Sequence, residues 1–166
     1  MLNRWNQLCL TTICVVGVCS MQAGAGADNT APATTAGIAA QVGALTNAER
    51  REVGRALLRT NPRLMRAAQM HAEQMARAGQ PAHVLPRAAY PRAEDRLAAA
   101  GYRWQSYGEN LALGQPTAAA AVRDWMRSRG HRRNVVNPTF TELGVGYARD
   151  RSGRPYYVQV FASPSS

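Results

Sequence analysis

Lysine is absent. All 20 basic residues of this 166-residue chain are arginine, against ten acidic residues and a formal net charge of +10. Alanine and arginine are both abundant, which points to genome-level codon bias rather than a need for guanidinium forks at every position. Cysteine is confined to Cys9, Cys14 and Cys19. A chain cut beyond them has no disulfide and no thiol nucleophile, so an exported domain would stand on its core alone, or on a core plus a metal. The longest apolar run is too short for a membrane span, and neither G-x-S-x-G nor H-E-x-x-H occurs. The "HAE" at His71 resembles the H-x-E of zinc deaminases, but the cysteine ligands are missing. No dense basic block exists beyond the pairs Arg50–Arg51 and Arg132–Arg133. The charge therefore reads as a solvated face, with weak attraction to an anionic envelope polymer or lipid headgroups as the sharper alternative. Nucleic acid is not an expected partner, because no binding motif appears and export removes it.

What is present begins with a targeting pattern. Arg4 supplies the positive start, "LCLTTICVVGVCS" the apolar middle, and "AGAGA" ending at Ala27 the small residues of a cleavage site. Residues 1–27 are read as a signal peptide, giving a secreted or periplasmic protein. Lipid attachment at Cys19 is the lesser alternative, since Val18 is bulky for that position. Residues 28–44 are small, polar and Pro-containing and read as a flexible linker. The folded domain is expected over 45–163, as a monomer.

Within it, "TNAERREV" reads as a helix capped by Thr46 or Asn47. "NPRLMRAAQMHAEQMARAG" reads as a longer one, with Asn61 as N-cap, Pro62 in the first turn and Gly79 past the end. Its stripe of Leu64, Ala68, His71, Met75 and Ala78 faces the core, which makes His71 a hydrogen-bonded core histidine. Further helices are expected over 92–100 and 117–127. "ELGVGYAR" and "YYVQVFA" alternate with period two about a "DRSGRP" turn and form a hairpin, with another strand near "GENLAL". The fold class is α+β: a small antiparallel sheet flanked by helices.

The chemistry-bearing residues left over are His83, Glu109, His131 and Glu142, each at an element end or in a loop. Imidazoles and carboxylates in this mix suit a divalent metal or a proton-sharing cluster. "YGENLALG", "WMRSRGHRRNVVNPTFTELGVGYA" and "YYVQVFA", in that order, resemble the bacterial branch of the CAP superfamily (cysteine-rich secretory proteins, antigen 5 and pathogenesis-related 1 proteins; SCP domains). The resemblance covers nearly all of the folded domain. It implies an α–β–α sandwich with a cleft lined by two His and two Glu, matched here by His83, Glu109, His131 and Glu142, and a divalent cation, zinc foremost, held by them. Val84 departs from the small polar residue common after the first cleft histidine. Three readings follow: a metal-capable binding module for a small-molecule, lipid or protein ligand; a metal-dependent, protease-like hydrolase using Glu109 or Glu142 as general base; or a metal-free hydrogen-bonded network.

Overall fold

The computed structural model describes residues 34–165. The segment read as a signal peptide, Cys19 and the first part of the expected linker lie outside them.

Helix α1 (Thr35–Glu52) begins well before Leu45, so the linker assignment fails from Thr35 onward. Thr34 caps this helix, its side chain accepting from the Gly37 N–H. Ala39, Val42, Thr46 and Arg50 form its buried stripe. These residues are mostly small, so the composition looked like a tether while the spacing was helical. Thr46 and Asn47 are therefore mid-helix, not caps. The Thr46 hydroxyl donates to the Val42 carbonyl, and Asn47 exchanges two hydrogen bonds with the Leu58 backbone.

The chain then makes β1 (Arg59–Thr60), α2 (Pro62–Ala78), α3 (Ala93–Ala99), β2 (Trp104–Leu113), α4 (Ala118–Arg127), α5 (Arg129–Val135), β3 (Glu142–Arg149) and β4 (Pro155–Pro164). Asn61 and Gly79 cap α2 as expected. Ala78 is exposed at the helix end; the other four residues of its stripe are buried. The sheet order is β1-β3-β4-β2. β4 pairs antiparallel with both β2 and β3, and the short β1 adds a parallel pairing on β3 that was not expected.

Alternation along the strands builds two cores. Leu143, Val145, Tyr157 and Phe161 pack with Val42, Val122 and Trp125 of α1 and α4. Val158, Val160 and Ala162 pack with Leu64, Ala68, Met75 and Leu97 of α2 and α3. The result is an α–β–α sandwich. α2 lies directly on β3 because Gly144 and Gly146 carry no side chain: a Cβ on either would stand 2.1–2.2 Å from backbone atoms of Leu64 or Ala68. "GVG" is thus a helix–sheet contact within the strand.

Candidate functional site

β2 is an edge strand of the sheet, and Glu109 sits within it, level with Val160 on β4 and Gly144 on β3. The expected strand near "GENLAL" is thus present, as part of a ten-residue strand. Strand parity sends Glu109 to the face covered by α2 and α3. There its carboxylate is buried and shared. Oε2 accepts from Nη2 of Arg96 at 2.8 Å, and Oε1 lies 2.9 Å from Nδ1 of His83. Burial pushes the Glu109 carboxyl up. The His83 hydrogen bond, with His71 and Arg96, outweighs that and holds it below the usual range. An ionised carboxylate only accepts, so His83 Nδ1 carries the proton and Nε2 is left free. The same hydrogen bond holds His83 above its ordinary range against the opposing effect of burial.

Arg96 is the residue that sequence reasoning missed. It is 1% exposed, and besides Glu109 it donates to the carbonyls of Pro91, Tyr90 and His83. One guanidinium thus ties the loop carrying His83 to the carboxylate that His83 faces. The available signal was its place on the apolar stripe of α3, four residues before Ala100. His71 is buried as expected, but neither ring nitrogen has a hydrogen-bond partner. Its Nε2 stands 3.6 Å from Glu109 Oε1, whose near approach His83 has taken. Burial drives its pKa down, with Glu109 working against that.

His131 lies in the first turn of α5, a helix absent from the sequence reading, which had a loop there. Asn110 and Asn134 fasten this helix to the edge strand. Asn110 Nδ2 donates to the His131 carbonyl and to Gln159 Oε1, each at 3.1 Å. Asn134 Nδ2 donates to the Glu109 carbonyl at 3.2 Å and to Asn110 Oδ1 at 2.9 Å. Gln159 extends the network to Thr46 of α1. Gly108 makes room for it: a Cβ there would lie 3.0 Å from Asn134 Oδ1 and 3.1 Å from the Phe140 ring. Burial lowers the His131 pKa, and the charge of His83 lowers it further.

Glu142 does not join them. It opens β3, level with Ala162 on β4 and Tyr107 on β2, two residues from the row of Glu109. Its oxygens accept from Arg59 at 3.1 Å, Asn61 at 2.9 Å and the Tyr102 hydroxyl at 2.7 Å. Burial and Glu142 together push the Tyr102 phenol far up. Of the four expected residues, the structure pairs His83 with Glu109, ties the backbone of His131 to Asn110 next to Glu109, and gives Glu142 to the α2 entrance. Among the described residues no group of three or more His, Cys, Asp or Glu forms a ready ligand set for a metal.

Beside His83 and Glu109 opens a cavity of about 320 Å³, walled also by Val84, Arg92, Glu94 and Tyr107. The Tyr107 hydroxyl donates to Glu94, and burial with this pairing raises the phenol to about 12.

Residues 44–161 match the family described as CAP, the cysteine-rich secretory protein family. YkwD of Bacillus subtilis is 35% identical over 122 residues, 74% of this chain and 47% of its own length. A membrane protein of the same organism, YlbC, is 35% identical over 117 residues, 70% of this chain and 32% of its own. The chain thus spans half or less of these curated relatives. Among solved structures, an extracellular protein containing an SCP domain from Bacillus anthracis superposes with a TM-score of 0.71 at 30% identity, covering 77% of this chain and 41% of that one. An outer surface protein of Borrelia burgdorferi gives 0.67 at 16% identity, covering 75% of this chain and 90% of that one, and supports the fold alone.

Proposed function

The chain belongs to the cysteine-rich secretory protein (CAP) family, and from that premise we propose that it is an extracytoplasmic binding module whose paired histidines, His83 and His131, take a divalent cation, zinc foremost. The supporting observation is the hydrogen bond from His83 Nδ1 to Glu109 at 2.9 Å. It fixes the ring and tautomer and leaves Nε2 available, the arrangement in which a carboxylate orients a metal-binding histidine from behind. The His131 ring, with no hydrogen bond among the described residues, is the second donor. Glu109 is the orienting group rather than a ligand, because Arg96 and His83 occupy both of its oxygens. Glu142 is withdrawn from the ligand set by Arg59, Asn61 and Tyr102. Two protein ligands leave the remaining positions to water or a bound ligand, so affinity is modest and the site exchangeable. A bound cation would supply Lewis acidity at this groove.

A secreted setting is supported by the extracellular SCP-domain protein among the similar structures. Among the described residues no helix is long and apolar enough to cross a membrane. Hydrolysis has less support, since each candidate general base is already committed to neighbouring donors. Equilibrium dialysis against zinc followed by elemental analysis tests the proposal. About one ion per chain in the wild type, lost in His83→Ala, is the expected result; equal zinc content in both proteins overturns it. Peptide or ester turnover that is abolished by Glu109→Ala in a folded variant would favour the hydrolase instead.

A further inference from the structure

Away from the histidine groove, positive charge gathers where the end of α2 meets the turn joining β3 and β4. Arg77, Arg149, Arg151 and Arg154 line a concavity there of about 650 Å³, with Glu73 and Asp150. The two carboxylates offset it only in part, each pairing with one of the four arginines. Asp150 is consumed by its own turn, accepting from the Ser152 and Arg154 backbones, the Ser152 hydroxyl and Arg154 Nε. Glu73 accepts from the Gln69 amide at 3.0 Å and stands 3.8 Å from Arg77. Arg149 donates to the Gly153 carbonyl and lies over the Tyr147 ring at 5.7 Å, with no carboxylate partner among the described residues. Arg151 forms no ion pair among the described residues.

Several features select the partner. The turn that presents Arg149, Arg151 and Arg154 is tied by Asp150, which also holds the Arg154 guanidinium, while the Gly153 carbonyl holds that of Arg149, and guanidinium forks match phosphate oxygens. The remaining wall is small: Ala76, Gly79 and Ala148, with no long aliphatic or aromatic side chain to enter a bilayer. Arg77 also borders a second concavity of about 710 Å³ that includes Arg87. Arg77 is thus shared by two adjoining concavities, each with a further arginine, which suits anionic groups in series rather than a single ion. We infer that this surface binds a phosphate-bearing anionic polymer, through residues that take no part in the histidine groove.

The test uses the whole protein, with inorganic polyphosphate of defined chain length as probe, titrated calorimetrically at several salt concentrations. Arg77→Gln/Arg151→Gln is compared with Arg123→Gln/Arg127→Gln, which removes the same charge from exposed positions of α4. All three proteins are first matched by circular dichroism and melting temperature. The wild type is expected to bind with strong salt dependence. The groove variant should weaken about tenfold or more at low salt and lose about two from the log–log salt slope, one per phosphate contact, while the α4 variant changes little. Equal weakening in both variants would reduce the effect to net charge and overturn the inference. So would absence of polyphosphate binding, or binding only to phosphatidylglycerol vesicles, which would assign the surface to a membrane.

Discussion

Glu109 shows how one side chain sets the electrostatics of its neighbours. Buried and accepting from Arg96 and His83, it is the reason a guanidinium at 1% exposure is tolerated. Glu109→Gln should therefore cost about 3–5 kcal/mol in urea unfolding, the range for breaking a buried pair on one side; a loss below about 1 kcal/mol would mean that Arg96 is satisfied by the carbonyls of the His83 loop alone. His71 carries a pH prediction. Its folded pKa lies below its unfolded value because burial disfavours the charged ring. The unfolded chain thus binds the proton first on acidification, and stability falls as pH drops through the unfolded value near 6.5. In chelator, His71→Met should flatten the decline of melting temperature between about pH 7 and pH 5 relative to wild type. Parallel profiles would show that His71 does not titrate on unfolding. From sequence, the position of His71 on a buried stripe was readable. Its lack of a partner was not, because that depends on β2 and the His83 loop, distant in the chain, competing for one carboxylate oxygen.

Elements hold the site by close approach. Gly144→Ala places a methyl about 2 Å from the Leu64 backbone, so α2 must lift off β3, and a loss above about 3 kcal/mol is expected by thermal or urea unfolding. Gly130→Ala, inside α5 with open space around it, is the contrasting case and should be neutral or stabilising by up to about 1 kcal/mol. Similar losses at both positions would contradict the packing reason given for Gly144. Asn134→Ala should loosen α5 from the edge strand and lower zinc affinity about 10- to 100-fold at unchanged stoichiometry, as for lost supporting hydrogen bonds at other metal sites; unchanged affinity would show that α5 is held in place by other contacts. Periodicity made α2, α4 and the hairpin legible. It failed at α1, whose buried face uses Ala39 and Thr46, and at α5, where "RGHRRN" has too little apolar content to signal a helix. β1, two residues long, has no pattern to read and exists only through its pairing with Glu142 and Leu143.

At the scale of the molecule, the sandwich sets His83, from the α2–α3 loop, against Glu109 of β2, and fastens α5, which carries His131, to the same strand through Asn110 and Asn134. The resemblance in motif order implied a four-residue cleft, but not that Glu142 would be drawn to the start of α2 by Arg59, Asn61 and Tyr102. A two-histidine site backed by Glu109 makes a different forecast from a four-ligand site: Glu142→Gln should leave metal binding intact, whereas loss of the histidines should not. The most direct measurement is a calorimetric zinc titration of the wild type beside His83→Ala/His131→Ala and Glu142→Gln. Binding in the wild type and in Glu142→Gln, absent from the double variant, is the predicted result. Zinc binding that survives loss of both histidines, or no binding in the wild type, would contradict it.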